Sequence, residues 1–329
     1  VQTCALPILQ PLNGLLATSL AYLVLDQLPA GGAGAFGRAD RDFRGVLLRR
    51  YIAFGTLPVL IASLFAVRSF ESRALAEANQ GLRLAALNLA GEMTRHVDEA
   101  AAQIEVAAAR QRAPGWKADP AALERTLDTL YARSGLFTSI LAADAGGLVI
   151  AGAPSARRRA VVGETPTPPV TDREYFKVPM SSGRIHVTGV FRGRSFGTDL
   201  LIAVGAPVLD EGGRPAGILQ GAILVSSLGE ILSRGTAGTG DRYLLSDGSL
   251  RVITSQGFAE APLAPLAGTP LAWVISAARA RPSRVTADRD GARVSYLSTS
   301  VSLPGLGWTL TLQREWSDVL RPVSAARIG

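Results

Sequence analysis

One cysteine and two histidines in 329 residues leave little material for metal or redox chemistry. A disulfide scaffold needs paired cysteines, and nearly every zinc or haem site draws on Cys or His, so those classes fall away together. Charge is also scarce, at 19%, against 47% hydrophobic residues and a mean hydropathy of +0.22. That balance excludes a disordered chain and is unusual for a purely soluble enzyme, which directs attention first to membrane segments. Lysine occurs only at Lys117 and Lys177, so the net charge of +7 is almost all arginine. Arg, Ala, Gly and Leu are residues of GC-rich codons, and no Lys/Arg stripe interleaved with aromatics appears, so nucleic acid is not expected as a partner. Gly-x-Ser-x-Gly, His-Glu-x-x-His and Walker sequences are all missing, and His186 is the only histidine in the globular part. Neither catalysis, a metal nor a cofactor is expected.

What is present begins with apolar runs. Residues 1–8, VQTCALPI, read as a translated sequencing-library adapter, which would start the chain inside a longer frame. Residues 9–28 contain the run Leu12 to Leu28, with Asn13 and Asp26 near its ends, either a membrane span or a fragment of one. Tyr51 to Phe70, YIAFGTLPVLIASLFAVRSF, holds one charge, Arg68, close to the end where it can snorkel. About 20 apolar residues at about 1.5 Å each cross a hydrocarbon core of about 30 Å, so 51–70 is expected to be a transmembrane helix. Between the two runs, the loop 29–50 carries Arg38, Arg41, Arg44, Arg49 and Arg50 against Asp40 and Asp42. Short cationic loops stay in the cytoplasm, which places residues 71–316 outside the bacterial inner membrane, in the periplasm.

From Glu71 the apolar positions 75, 82, 86, 89, 93, 97, 104 and 108 recur at helical spacing until Pro114-Gly115, so 71–114 reads as one long amphipathic helix continuing the membrane helix. Its Leu and Ala stripe is packing surface for a domain or a twin helix, and a homodimer is expected through it. His96, beside Arg95 and Asp98, reads as a solvated helix-face residue. Residues 120–133 form a second helix stopped by Gly135. The period then changes to two: FTSILAADAGGLVIAGA is strand, turn, strand, and the same unit returns around Asp210 and Asp247. Asp144, Asp210 and Asp247 are turn formers beside glycine, with calcium binding a remote alternative. The pattern implies an α+β fold with antiparallel sheets in two modules, 115–232 and 233–316. The stretch 317–329 reads as the lead into a second membrane helix.

Asp172-Arg173-Glu174-Tyr175-Phe176, then TGVFRG, then IAVGAPVLDEGGRPAGILQGAILVSSL, and finally LGWTLTLQRE together resemble the double Cache (dCache) extracytoplasmic sensor domain. The resemblance covers roughly 70 to 316 and is most specific in its Pro-Val-x-Asp-x-x-Gly-x-x-x-Gly stretch. It implies a long helix leading from the membrane to a distal and a proximal PAS-like module, with ligand usually bound in the distal one. It also implies an output domain beyond a second membrane helix, such as a histidine kinase, a diguanylate cyclase or a chemoreceptor coiled coil. The rival from another class is a membrane-anchored envelope protein serving assembly without a ligand.

The amino-acid-binding branch of that family carries Arg-x-Trp-Tyr where this chain has Arg173-x-Tyr175-Phe176. The arginine matches and both aromatics differ. Because a guanidinium forks onto a carboxylate through two parallel hydrogen bonds, the resemblance implies a small anionic ligand of carboxylate type, without amino-acid specificity. Arg173, Tyr175 and Phe176 are the leading candidates, the competing reading being a solvated helix start at 172–174 with Tyr175 and Phe176 filling the core. Arg192 and Arg194, in VFRGRSFGTD, flank a loop that either closes over the site or is an exposed edge kept soluble by charge. Asp199 falls where an ammonium partner would stand. Arg157-Arg158-Arg159 reads as an exposed loop.

Overall fold

The computed structural model describes residues 39–111, 118–156, 168–194, 196–289 and 292–325. The adapter-like segment 1–8, the apolar run 9–28 and Arg157-Arg158-Arg159 lie outside the described residues. Two compact units partition the chain, one comprising 1–76 with 323–329 and the other 77–322. In the first, helix α1 (Ala39–Arg110) already begins inside the arginine-rich stretch read from sequence as a loop. The reason is local: Ala, Leu and Arg favour helix, and no proline occurs between Ala39 and Pro58. Among the described residues no helix is long and apolar enough to cross a membrane. The burial of 51–57 is outside the description, so a crossing at Tyr51 to Phe70 rests on sequence.

Everything else concerns 77–322. There α1 buries Leu82, Ala86, Leu89, Met93, Val97, Ala100, Ile104 and Ala108, one face at spacings of three and four. Helix α2 (Pro120–Ser134) starts on an Asp119 cap, whose carboxylate accepts from the Ala122 amide, and stops at Gly135 in the left-handed region. The first sheet comprises β1 (Ser139–Asp144), β2 (Val149–Ala153), β3 (His186–Val187), β4 (Phe191–Arg192), β5 (Leu200–Leu209) and β6 (Pro215–Leu224). Helix α3 (Glu174–Ser182) precedes β3, and α4 (Val225–Thr236) follows β6. The second sheet comprises β7 (Arg242–Ser246), β8 (Val252–Gln256), β9 (Ser283–Arg289), β10 (Ala292–Ser302) and β11 (Thr309–Glu315). Helix α5 (Pro270–Ala280) precedes β9, and α6 (Trp316–Ala325) follows β11.

Both sheets are antiparallel and have the same strand order, β2-β1-β6-β5-β3 and β8-β7-β11-β10-β9, with β4 also paired to β5. In each, a hairpin is followed by a helix and then by strands that return so that the last pairs with the first. The three Asp-Gly turns are hairpin turns, as the repeated pattern implied. In each the aspartate Oδ1 accepts a backbone amide at 2.9 Å, from Leu148, Arg214 and Arg251 respectively. That bond folds the turn locally.

Glycine lets α1 and its neighbours meet. A side chain at Gly221 on β6 would stand 2.5 Å from the Phe137 ring and 2.9 Å from Ile104 on α1. One at Gly235 on α4 would overlap Leu89. The Tyr243 hydroxyl on β7 donates to the Gly229 carbonyl of α4 at 3.1 Å, tying α4 to the second sheet. Asp241, buried just before β7, takes a two-bond fork from Arg314 on β11 at 2.7 Å for each bond.

His96 departs from its solvated reading. It is half-buried at the seam of α1 and α4, where Glu92, Arg95, Glu99, Glu230 and Arg234 also face, and its Nε2 is buried without a partner among the described residues. Burial pushes its pKa below 6.5, while Glu99 and Glu92 pull the other way. The folded chain therefore holds His96 neutral more strongly than the unfolded chain does. Its contribution to stability is full above the unfolded value of about 6.5 and is lost as pH falls below it. In melts between about pH 7.5 and 5.5, His96→Gln should lose less thermal stability than the parent. Equal losses in the two proteins would remove His96 as the cause.

Candidate functional site

The site is assembled where α3 starts. Arg173 is its N-cap, with extended backbone (φ −87, ψ 142) and no side-chain cap bond, so the guanidinium reaches away from the helix. It lies 5.3 Å from the centre of the Phe191 ring on β4, and its Nη2 donates to the Arg192 carbonyl at 3.4 Å. Its Nε is 3.9 Å from Asp172 Oδ2 and has no hydrogen-bond partner among the described residues. These are weak holds for a guanidinium with five donors.

Arg194 is held far more firmly. It forks onto Asp172, with Nη1 donating to Oδ2 at 3.0 Å and Nη2 in close contact with Oδ1, and Nη2 also donates to the Pro169 carbonyl at 2.7 Å. For Asp172, slight burial works upward on the pKa, but the Arg194 hydrogen bonds and charge, with help from Arg173, hold it below the usual carboxylate value. Asp172 is therefore an anion whose charge is already answered. Tyr175, the second residue of α3, packs its ring 5.7 Å from Phe191 at an angle of 41°. Burial pushes its hydroxyl up to about 12 against the pull of Arg173 and Arg194, so it remains a neutral hydrogen-bond donor at physiological pH.

Arg173, Tyr175, Phe191, Arg194, Phe196 and Asp199 wall a cleft whose floor is Ser139, Leu141, Gln220 and Ala222 of the first sheet. Counted to its mouth the cleft measures about 430 Å³, but its enclosed part is only about 30 Å³, room for a water or two. The loop from Gly193 to Asp199 narrows it, closed by the Gly193 amide donating to the Asp199 carbonyl at 2.8 Å.

No protein-family model matches the chain, and no curated protein matches it in sequence. Solved structures do. The ligand-binding domain of the Pseudomonas aeruginosa amino acid chemoreceptor PctB, in complex with L-Arg, aligns at a TM-score of 0.57 and 14% identity over 77% of this chain and 93% of that one. The corresponding domain of P. aeruginosa PctC, in complex with GABA, aligns at 0.54 and 18% over 72% and 99%. An extracellular ligand binding receptor from Desulfohalobium retbaense aligns at 0.56 and 16% over 71% of this chain, which spans only 40% of that protein. The fold is that of the double Cache domains. At these identities the likeness establishes the fold, and the bound molecules are those of the other proteins.

Within this double Cache fold, the cleft belongs to the first of the two sheets. Arg173, Tyr175 and Asp199 are brought together on its wall. Phe176, adjacent on α3, shares the buried cluster of Leu141, Val170, Tyr175, Ala203 and Ile218 but does not line the cleft. Arg192 does not line it either: its Nη1 donates to the Thr198 carbonyl at 3.1 Å and braces its own loop. Strand β4 ends at Arg192, so Arg194 stands beyond it in the loop. Sequence reasoning passed over the polar floor, Ser139 and Gln220, each 3% exposed. A lone glutamine in the otherwise apolar strand PAGILQGAIL was the available signal.

Gly205 on β5 sets the seat of α3, because a Cβ there would overlap the Tyr175 carbonyl oxygen. Gly205→Ala should therefore lift the start of α3 and cost about 1–3 kcal/mol, as overpacking does. Urea unfolding checks this, and an unchanged midpoint would show that α3 is not seated on Gly205.

Proposed function

We propose that this chain is the extracytoplasmic ligand-sensing region of a bacterial transmembrane signalling receptor. In this reading its first module, the one farther from the membrane, binds a small anionic metabolite of carboxylate type. The observation that carries the proposal is the contrast between the two arginines of the cleft: Arg194 forks onto Asp172 and donates to the Pro169 carbonyl through its two terminal nitrogens, whereas Arg173 has only long contacts. A carboxylate would take the two-bond fork that Arg173 lacks, with the protonated Tyr175 hydroxyl as a further donor. The aligned chemoreceptor domains support the class, since the L-Arg and GABA in their complexes each carry a carboxylate.

The enclosed volume is too small for such a ligand, so binding requires the loop 193–199 to move outward. That movement is the conformational signal. It would pass through α1 to an output domain, a histidine kinase, a diguanylate cyclase or a chemoreceptor coiled coil, and the sensing residues themselves carry out no catalysis.

A thermal-shift screen of organic acids and amino acids on the purified chain tests the ligand. Losing a charge-assisted fork costs about 1.5–3 kcal/mol, so Arg173→Ala should weaken a carboxylate hit by roughly ten- to a hundredfold. A best hit that is a cation or a sugar, or a carboxylate bound equally well by Arg173→Ala, would overturn the assignment.

The orientation is a separate part of the proposal and rests on the arginines flanking Tyr51 to Phe70. With the native Cys4 replaced by Ser, single cysteines at positions 40 and 212 should label oppositely with an impermeant thiol reagent in intact cells, only the one at 212 reacting. Equal labelling would refute the orientation while leaving the ligand untouched.

A further inference from the structure

The common strand order of the two sheets allows their registers to be laid over one another. Strands β1, β6 and β5 correspond to β7, β11 and β10. Ser139, Ala222 and Ala203, paired across the first sheet, then correspond to Arg242, Gln313 and Ser298 in the second. The next row on the same face, Leu141, Gln220 and Gly205, corresponds to Leu244, Thr311 and Ser300. The first-sheet rows include the floor of the cleft already described. Their counterparts are more polar: Ser298, Ser300, Thr311 and Gln313 are all 0–2% exposed.

Helix α5 covers this face. Its Ile275 packs with Leu244, and its Arg279 donates to Thr309 Oγ1 at 2.6 Å. Beneath it the polar groups only partly satisfy one another. Ser300 and Thr311 share a hydrogen bond of 2.9 Å, and Gln313 Nε2 donates to Ser298 Oγ at 3.3 Å. Gln313 Oε1 and the Tyr296 hydroxyl are buried with no partner among the described residues. Turning the amide over would leave its nitrogen unpaired instead. Tyr296 lies two residues from Ser298 on the same face, its ring 4.1 Å from the Arg242 guanidinium, which the Phe258 ring also meets at 4.1 Å. Buried polar groups are nearly always paired, and two unpaired ones on one covered face point to an occupant.

We infer that the second module holds its own binding site, between α5 and the face of β7, β10 and β11, for a small uncharged solute that both donates and accepts hydrogen bonds. An N–H or O–H of the solute donates to Gln313 Oε1, and its oxygen accepts from the Tyr296 hydroxyl. A carboxylate is disfavoured because it would leave the glutamine oxygen facing another acceptor, and a cation is disfavoured beside Arg242. The site does not depend on the ligand proposed for the first cleft.

Saturation-transfer NMR on the full chain, with acetamide as the amide probe and glycerol as the hydroxyl probe, tests it. At least one probe should receive transfer from the parent protein. The signal should fall at least tenfold in Gln313→Leu and in Tyr296→Phe, with folding of both checked by circular dichroism, and should persist in Arg173→Ala. Transfer to neither probe would overturn the site, as would transfer undiminished in folded Gln313→Leu or Tyr296→Phe. A signal lost in Arg173→Ala but kept in Gln313→Leu would place the probe in the first cleft and would also overturn it.

Discussion

The buried stripe of α1 meets the first sheet at Gly221 through Ile104 and meets α4 at Gly235 through Leu89, two contacts that leave no space for a Cβ. Helix α4 in turn meets the second sheet through the Tyr243 hydroxyl. One face of one helix thus fixes the first sheet directly and the second through α4. Such backbone-close packing is intolerant of change, because interiors at this density cannot absorb an added methyl without moving an element.

The first cleft is built on an uneven sharing of charge. Asp172 stands between two arginines and is claimed by Arg194, which also holds the Pro169 carbonyl and so anchors the start of the loop to the segment before α3. What remains for Arg173 is an aromatic face and a distant carbonyl. A guanidinium so placed is incompletely satisfied by the protein around it. The interior beside it is narrow, bounded by Phe191 and Phe196.

Two sheets with one topology have been given different interiors. Small residues, Ala203, Gly205 and Ala222, occupy three places on the first sheet, and Ser298, Ser300 and Gln313 the matching places on the second. The glycine lets α3 sit close on the first sheet. The polar side chains of the second bring hydrogen-bonding groups whose burial requires a partner. The difference lies entirely in side chains, since the strand order is shared.

Local pattern carried much of this structure in the sequence itself. The helical spacing at 82, 86, 89, 93, 97, 104 and 108 names buried residues of α1, and the Asp-Gly turns name the hairpins, because both depend only on neighbours within a few residues. The arginine-rich stretch before Tyr51 was read as a loop on its charge, although helix propensity carries α1 back to Ala39. At the cleft, composition and resemblance pointed to Arg173, Tyr175 and Asp199, but could not separate them from Phe176 and Arg192. Tyr175 and Phe176 belong to one buried cluster, and only the packing against Gly205 and β4 brings Tyr175 to the cleft wall as well. Likewise Ser139 and Gln220 sit 81 positions apart and adjoin only because β6 pairs with β1. The sequence by itself determined the elements and their buried faces, which are short-range properties of the chain. Which arginine is spent on Asp172, and which polar groups share a floor, was decided by the tertiary structure, because those contacts join segments that no local period relates.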